Sequence, residues 1–473
     1  MKQEHKAFYN DTIKSLQENT LAIFGGAGLS KGAGYVDWKG LLKDIAEELG
    51  LDIAKETDLI SIAQYQVNNS GGRSKLNQKI IEEFNEDIEI TENHKIIARL
   101  PISTYWTTNY DDLIENSILN VKRIPDIKHT DRQLFNSRPR RDAVVYKMHG
   151  DKSMPGDAVI TKDDYERYYI DHSLFVTTLS ADLVSKMFIF IGFSFTDPNL
   201  DYILSRIRVS MKGEARHHYY FIKKINERDP GIADKAEFEY LTRKQELFVQ
   251  DLKRFQLQPV WVDTYPEITA ILSEIETLFK KKTVFISGSA EVYGAWDKNT
   301  AQTFIHNLSK RLIKENLRVV NGFGWGVGSA VINGALEQIY LKPNKYSEDQ
   351  LIIKPFPQYA TGGKELSQLW QEYRENMIPY AGIAIFIFGN KFVKDKIELA
   401  DGVYKEYEIV RKFNLFPIAI NATGYISEKI AIELMDERYY NTPILELINS
   451  LNKENEPNQI IEIIIKIINL INQ

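Results

Sequence analysis

Three polar residues that could contact a small ligand stand together in the stretch TTNYDDLIE, where a short apolar run gives way to a helical pattern. They are Asn109, Asp111 and Asp112, and they follow a predicted strand at 102–106. The end of a strand in a parallel α/β sheet is a place where ligands commonly bind. Asn and Asp are also good helix caps, and capping alone accounts easily for one of the three.

A histidine ends a second stretch of this kind, DAVVYKMHGD, in which a strand through Val144 and Val145 leads to His149, Gly150 and Asp151. Imidazole titrates near neutral pH, so it can take a proton in a reaction. A lone histidine after a strand is more often structural than catalytic. On residue type alone, both interpretations of His149 stay open.

A glycine-rich turn, GGAGLS at residues 25–30, follows the apolar run at 21–24 and precedes a helical pattern that begins near Trp38 and ends at Gly50. Strand, glycine turn and helix together predict a phosphate cradle, because a backbone without Cβ atoms can approach a pyrophosphate closely. The dinucleotide fingerprint G-x-G-x-x-G fails by one residue, since Gly26 and Gly28 are followed by Gly32. A purely structural turn is the alternative.

The elements that must position these residues alternate between strands and helices. Residues 38–100 and 162–169 have helical patterns, and a buried strand at 187–191 ends at Gly192, Phe193 and Ser194. Asp197 and Pro198 start another helix, and further strands are predicted at 219–222 and 259–262. This alternation is typical of a mostly parallel sheet.

A second α/β series follows three lysines at 280–282, and we predict two domains, 1–280 and 281–473. Its predicted strands are 283–287, 318–320, 351–356, 383–388 and 416–420, and a glycine turn is predicted at 287–290. Alternating glycines at 322, 324, 326 and 328 precede a helix and would expose amides to a nucleotide, although a flexible turn is the alternative. The predicted fold class is therefore α/β, with two doubly wound parallel-sheet domains.

Composition narrows the function classes. The 473-residue chain is 43% hydrophobic, has a net charge of −6 and has no long basic stripe, so nucleic acid is not expected as a partner. The absence of cysteine excludes disulfides, thiolate nucleophiles and cysteine-bound zinc. The apolar tract at 460–471 is interrupted by polar residues and favours a packed amphipathic helix over a membrane span. We expect a cytoplasmic protein that binds no membrane.

The motifs GGAGLS, TTNYDD, MHGD and GFSFTD resemble, in this order, the NAD-binding set of the sirtuins over roughly residues 10 to 275. Protein-deacylating sirtuins carry a four-cysteine zinc module that this chain lacks, so the resemblance implies the zinc-free branch that hydrolyses NAD, with no metal. It implies that Asn109 holds the ribose or the attacking water and that His149 is the general base. It further implies that Asp111 contacts the nicotinamide amide and that Ala27, Gly28 and Ser30 contact the pyrophosphate. Gly192 and Ser194 would contact the adenosine side.

The second half resembles the SLOG group of nucleotide-binding domains, with GVYKEYEIV at 402–410 in place of the enzymatic glycine-rich pattern, and this favours a sensor. The resemblance implies an activator site, where an arginine and a lysine would bind phosphate, a glutamate would accept hydrogen bonds and an aromatic ring would stack on the base. An exposed ion pair of Arg374 with Glu375 is the alternative. The implied activator residues are Gly288, Ser289, Trp325, Phe356, Arg374, Lys391, Gly402 and Glu406.

A sirtuin-like half followed by a SLOG half resembles the effector NADases of the Thoeris anti-phage system. The resemblance implies a bacterial enzyme that is activated by a cyclic ADP-ribose isomer from a TIR-domain partner protein and then depletes NAD+. It also implies a homo-oligomer, a tetramer or a higher assembly. A zinc-free NAD-dependent protein deacylase and a non-enzymatic nucleotide sensor are the competing hypotheses.

Overall fold

The structure is a computed structural model that describes residues 3–86, 88–195, 197–210 and 216–472. The chain forms two compact units, Met1–Glu276 and Thr277–Gln473. Both units are α/β, which confirms the predicted fold class. The boundary predicted between residues 280 and 281 stays a prediction.

The first unit contains a seven-stranded parallel sheet in the order β3-β4-β2-β1-β5-β6-β7. Because β1 lies in the middle and the chain winds first to one side and then to the other, the order reverses between β1 and β5. The strands are β1 Leu21–Gly25, β2 Thr104–Thr107, β3 Pro125–Lys128, β4 Ala143–Lys147, β5 Met187–Ile191, β6 His218–Lys223 and β7 Leu257–Val262.

Helices surround this sheet, and a group of them forms the insert between β1 and β2. They are α1 Lys6–Gln17, α2 Ala27–Lys31, α3 Trp38–Glu48, α4 Leu59–Ser70, α5 Ser74–Phe84, α6 Glu92–Arg99, α7 Leu113–Asn120, α8 Asp131–Leu134, α9 Lys162–Asp171, α10 Ser173–Ser185, α11 Pro198–Ser210, α12 Lys235–Leu252 and α13 Pro266–Lys280.

The second unit contains a five-stranded parallel sheet in the order β10-β9-β8-β11-β14, and a separate antiparallel hairpin of β12 and β13. Here the order reverses between β8 and β11. The strands are β8 Thr283–Ser289, β9 Arg318–Asn321, β10 Leu351–Ile353, β11 Ile383–Phe388, β12 Asn390–Val393, β13 Lys396–Leu399 and β14 Phe416–Ala419. The helices are α14 Lys298–Lys314, α15 Gly328–Leu341, α16 Leu366–Met377, α17 Asp401–Lys412, α18 Tyr425–Asp436, α19 Ile444–Leu451 and α20 Pro457–Ile471.

The central strands are apolar along their whole length because helices cover both faces of a parallel sheet. All five residues of β1 and of β5 are buried, and the ring of Phe24 on β1 stacks on that of Phe190 on β5 with centroids 5.1 Å apart. Helix α20 buries its isoleucines in the core of the second unit, as the interrupted apolar tract predicted. Among the described residues, we find no helix with the length and apolarity that a membrane crossing requires.

Several local predictions were wrong. The predicted strand 351–356 ends at Ile353, because Pro355 and Pro357 have no N–H to continue a ladder. The predicted turn at 287–290 begins later, since Gly288 and Ser289 pair with β11 as part of β8. The strand predicted at 102–106 occupies Thr104–Thr107. The sequence analysis missed β3 and the hairpin of β12 and β13 altogether.

One buried histidine gives the first unit a predictable response to acid. His218, at the start of β6, is 3% exposed, and its Nδ1 accepts a hydrogen bond from the Phe188 amide at 3.1 Å. Burial lowers the pKa of His218 from 6.5 to about 3. The unfolded chain therefore gains a proton as the pH falls through 6.5 while the folded unit does not, so this contribution to stability is present above pH 6.5 and is lost in acid.

We predict that lowering the pH from 7 to 5 reduces local stability around β5 by about 2 kcal/mol more in the wild type than in His218→Asn. The Asn side-chain oxygen can still accept from the Phe188 amide, whereas it does not titrate. Hydrogen–deuterium exchange of 187–191 in the full-length protein, compared between the two proteins at each pH, measures the difference. The same pH dependence in both proteins would contradict this assignment.

Candidate functional site

The candidate residues of the first unit follow four neighbouring strands of its sheet, in the spatial order β4-β2-β1-β5. His149 follows β4, Asn109 and Asp111 follow β2, the glycine-rich turn follows β1, and Gly192 follows β5. All four strands are parallel, so these turns lie at one edge of the sheet, where its strand order reverses. Ligands of open α/β sheets bind at this position.

The turns after β1 and β5 contact each other through their backbones. The Gly28 amide donates to the Gly192 carbonyl at 2.9 Å, and a Cβ on Gly28 would lie 2.8 Å from the Gly192 Cα. Gly192 has φ of +68°, and a Cβ there would lie 2.1 Å from the Leu29 nitrogen. These glycines are therefore required for the approach of the two turns. The loop predicted at 25–30 is helical from residue 27 onward, within the short helix α2, and the Gly28 amide is already used within the protein.

Asn109 is fastened to the glycine-rich turn. Its Nδ2 donates to the Gly26 carbonyl at 3.1 Å and to the Ser30 hydroxyl at 2.9 Å, while its backbone amide donates to Thr107 Oγ1 at 3.0 Å. The side chain is buried. Because both bonds use the amide nitrogen, the Oδ1 atom is the part of the side chain that can accept from a ligand or a water.

Asp111 has one bonded and one unsatisfied carboxylate oxygen. Its Oδ1 accepts from the Leu113 amide at 3.0 Å, the first amide of α7, while Asp112 occupies the N-cap position and makes no side-chain capping hydrogen bond. Its Oδ2 is buried and, among the described residues, has no hydrogen-bond partner. Burial raises the pKa of Asp111, opposed by the nearby Ser30 hydroxyl and the Lys147 charge. A buried acceptor without a partner suits a ligand that brings a donor.

A fully buried lysine holds the turns after β2 and β4 together. Lys147 Nζ contacts Glu115 Oε1 at 2.8 Å and the Asp151 carboxylate, and it donates to the backbone carbonyls of Tyr110 at 3.2 Å and Asp111 at 2.6 Å. Burial alone would lower the pKa of Lys147, but the two carboxylates raise it above its usual value. The charged ammonium thus fixes the backbone beside Asn109 and His149.

His149 lies in a closed environment at the end of β4. It is 1% exposed, its carbonyl accepts from the Val159 amide at 2.9 Å, and the Tyr165 ring meets the imidazole edge-on with centroids 5.5 Å apart. The Nε2 atom lies 3.1 Å from Asp197 Oδ2. Asp197 stands in the GFSFTD motif, and the sequence analysis interpreted it only as a helix start.

Two cavities adjoin the glycine-rich turn. The smaller, about 20 Å³, is lined by Ala27, Ser30, Asn109 and Asp111 together with aromatic and apolar residues of the helical insert. The larger, about 1070 Å³, is lined by Gly28, Gly192 and Ser194 and by residues from β6, α12 and the start of α13. The predicted cofactor residues therefore divide between two neighbouring spaces, with the turn between them.

In the second unit, the predicted activator residues lie on β8, on the segments after β9 and β10, on β12 and on helices α16 and α17. Arg374 of α16 is buried, not exposed, and its Nε donates to Glu406 Oε1 at 3.4 Å. Glu406 of α17 also accepts from the Ser287 hydroxyl at 2.6 Å, and burial raises its pKa. The alternative of an exposed pair between Arg374 and Glu375 was wrong, because Glu375 pairs with Lys412 at 3.1 Å.

Other predicted activator residues surround this buried pair. The Arg374 guanidinium lies 5.0 Å from the ring centroid of Phe356, and a Cβ on Gly402 would come within 2.8 Å of Arg374 Nη2. The Lys391 ammonium pairs with the carboxylate of Asp401, next to Gly402 in the chain.

The remaining predicted activator residues belong to β8 and to the turn after β9. The Ser289 hydroxyl donates to the Asn390 carbonyl at 3.1 Å, and Gly288 packs so tightly on Ile387 that a Cβ would lie 2.5 Å from its carbonyl oxygen. Trp325 is 74% exposed, so its ring is open to contact by a ligand. No contact of Trp325 with the buried pair is seen among the described residues.

Comparison with known proteins matches each half of the chain to a protein family. Residues 103–245 match the model of a SIR2-like domain, and residues 267–471 match that of the Sir2- and TIR-associating SLOG family. The chain is 48% identical to the NAD(+) hydrolase ThsA of Bacillus cereus strain MSX-D12, with 94% of each chain covered. It is 46% identical to that of Cytobacillus dafuensis, with 94% and 92% covered, and 44% identical to that of Acinetobacter baumannii strain 532279, with 95% of each covered.

The chain belongs to the NAD(+) hydrolase ThsA family. The predicted order of a sirtuin-like unit and a SLOG unit is confirmed, as is the prediction of an NAD+-hydrolysing enzyme family. Within the described ranges, we find no cluster of three or more His, Asp or Glu side chains that could hold a metal ion.

Sequence reasoning missed Asp197, Lys147, Glu115 and Ser287. Asp197 could have been found from the sequence, since it lies inside one of the four motifs. Its position at a predicted helix start, however, already accounted for an aspartate there. No sequence pattern marks Lys147 or Glu115 as buried, because a lysine on a strand and a glutamate in a helix are ordinarily surface residues.

We predict that Lys147→Met destabilises the first unit by about 3–5 kcal/mol, because Glu115 and Asp151 would remain buried without their cation. Lys14→Met is the matched control: Lys14 pairs with Glu18 at 4.0 Å with both side chains exposed, so we expect a change within about 0.5 kcal/mol. Denaturant unfolding of the full-length variants checks both values. Equal unfolding midpoints for the two variants would contradict a structural role for the buried ammonium.

Proposed function

We propose that this protein hydrolyses NAD+ to nicotinamide and ADP-ribose at the carboxyl edge of the first sheet. The observation that carries the proposal is a set of buried groups on two adjacent strand ends: the Asn109 amide and a carboxylate oxygen of Asp111 without a partner after β2, beside the glycine-rich turn, and His149 after β4. Membership of a family of NAD(+) hydrolases supports it. No metal is required for this chemistry.

Nicotinamide leaves as a neutral base from a positively charged ring, so the reaction needs orientation and stabilisation of an oxocarbenium-like carbon more than a strong push. In our proposal, Asn109 Oδ1 holds the ribose or the attacking water, and His149 takes the proton from that water. The Asp111 Oδ2 atom accepts from the carboxamide of nicotinamide. The water oxygen bonds to the ribose carbon as the carbon–nitrogen bond breaks.

The two cavities suggest how the dinucleotide lies. The nicotinamide end belongs with Asn109 and Asp111 in the smaller cavity, and the adenosine end belongs with Gly192 and Ser194 in the larger one. Ala27, Gly28 and Ser30 lie between them and would approach the pyrophosphate. A cavity of about 20 Å³ has room for about one water molecule, so it must widen to admit the nicotinamide ring.

We further propose that the second unit senses a cyclic ADP-ribose isomer made by a TIR-domain partner protein, and that the activated enzyme depletes NAD+ in anti-phage defence as a homotetramer or higher assembly. Residues 1–280 would be the hydrolase and 281–473 the sensor. The buried Arg374, with Phe356 beneath its guanidinium and the backbone of Gly402 close beside it, suits a phosphate next to a stacked base. A ligand can activate only if it binds the active state more tightly than the resting one.

We predict that His149→Ala and Asn109→Ala each reduce NAD+ hydrolysis by about 10²- to 10⁴-fold, because one removes the base and the other the orienting amide. His129→Ala is the matched control: His129 also follows a strand of the first sheet, but it contacts Gln133 and not the candidate site. Release of nicotinamide and ADP-ribose, measured without any peptide and with a cyclic ADP-ribose isomer present, checks this. A product that appears only with an acetylated peptide would favour a deacylase, and activator binding without turnover would favour a sensor.

We predict that Arg374→Ala raises the activator concentration needed for half-maximal NAD+ hydrolysis by about 10- to 150-fold, the loss of one hydrogen bond to a charged group. Basal turnover and NAD+ affinity should stay at wild-type values. Glu375→Ala, which removes the neighbouring exposed ion pair on the same helix, should leave the activation curve in place. The two-site proposal fails if Arg374→Ala leaves that curve unmoved or lowers NAD+ affinity without activator.

A further inference from the structure

A buried carboxylate faces the proposed base. Asp197 follows β5 and His149 follows β4, two strands that are not adjacent, and yet Asp197 Oδ2 lies 3.1 Å from His149 Nε2. The two side chains are only 9% and 1% exposed. Since water is largely excluded from this contact, the electrostatic interaction between the two groups is only weakly screened.

The carboxylate is held in one orientation by groups other than the histidine. Its Oδ1 accepts from the backbone amides of Asn199 at 2.9 Å and Leu200 at 3.0 Å, in the first turn of α11. Its Oδ2 accepts from the Tyr165 hydroxyl at 3.2 Å. The positive end of a helix dipole favours the ionised carboxylate at this position. Asp197 therefore presents a fixed negative charge to the imidazole.

The electrostatics agree with this geometry. Burial alone would raise the pKa of Asp197, but the charge and hydrogen bonding of His149, with the backbone amide of Leu200 and the Tyr165 hydroxyl, hold it below its usual value. Burial raises the pKa of each surrounding tyrosine and lowers that of His172, so these groups are neutral near pH 7. The titratable groups near the pair on the neighbouring elements are Tyr110, Tyr165, Tyr168, Tyr169 and His172.

We propose that Asp197 is a positioning residue for NAD+ hydrolysis, which keeps the proton of neutral His149 on Nε2 and leaves Nδ1 as the atom that accepts the proton of the attacking water. Both ring nitrogens of His149 are buried and make no well-formed hydrogen bond among the described residues, and Nε2 is the one that lies 3.1 Å from Asp197 Oδ2. The water O–H bond breaks, its proton passes to Nδ1, and its oxygen bonds to the ribose carbon as nicotinamide departs with the bonding electron pair. Asp197 stabilises the resulting imidazolium and is not itself protonated. This inference rests on the proposed function of His149.

The test uses Asp197→Asn in the full-length protein. Asn caps helices about as well as Asp, so α11 should keep its start while the negative charge is lost. We expect kcat/KM to fall by about 10²- to 10⁴-fold, because the Asn amide can donate to Nε2 and favour the wrong tautomer. Without the anion the imidazolium loses its stabilising partner, so the acid limb of the kcat/KM profile should move to lower pH. The KM for NAD+ should change little.

Two further variants separate positioning from structure. Asp201→Asn changes another acid on α11 that does not face His149, and it should leave both rate and pH profile unchanged. Asp197→Ser retains a capping hydroxyl, but its side chain is too short to reach the histidine. It should therefore show the same pH shift, and it replaces the Asn variant if that variant does not fold.

The outcomes distinguish the two proposals. A folded Asp197→Asn with the wild-type rate, or with a loss that is equal at every pH, overturns the positioning role. In that case an inactive His149→Ala would still support the proposed function. A wild-type protein that does not hydrolyse NAD+ under activating conditions overturns the proposed function, and this inference with it.

Discussion

The close backbone contact between the turns after β1 and β5 is the constraint on which the first site depends. The Gly28 amide bonds to the Gly192 carbonyl across a gap that no Cβ could enter. With the two turns locked, Asn109 can bond to the Gly26 carbonyl and to Ser30 on one side. The loop that carries Asp197 begins from Gly192 on the other. An alanine at either glycine would push apart the backbone that both groups use as a support.

Buried charges give the site its fixed electrostatics. A buried ion pair rarely adds stability relative to apolar residues, because both ions lose their hydration, so its retention calls for a reason other than stability. Lys147 holds two backbone carbonyls in place with a charge that the surrounding acids maintain. In our proposal, Asp197 orients an imidazole in a similar way, from the start of a helix. Orientation is the contribution that hydrolysis of an already activated bond requires.

The two units apply the same α/β geometry to different chemistry. Each has a parallel sheet whose strand order reverses beside its first strand, and each gathers polar side chains at the carboxyl edge. The first unit offers a histidine and carboxylates, which can move a proton. The second offers a guanidinium, a carboxylate and aromatic rings, which can bind a nucleotide. This difference in side chains supports the assignment of hydrolysis to the first unit and sensing to the second.

The sequence by itself determined the secondary-structure alternation, the location of the glycine-rich turns and the strand ends that carry Asn109 and His149. These features are local: an apolar run of four to six residues followed by glycine or polar residues specifies a buried strand and its end. No such apolar run marks β3, which contains charged residues, or the hairpin of β12 and β13. The residues of these strands are equally common in loops.

Only the tertiary structure decided which side chains meet. Asp197 and His149 are separated in the chain by two α-helices and one strand, and Arg374 and Glu406 belong to different helices, so no local pattern links either pair. Burial also reversed one interpretation: Arg374 looked like an exposed helical arginine, whereas its neighbours exclude water from it. Contact and desolvation are properties of the packed chain, and they set the charge states on which the proposed chemistry depends.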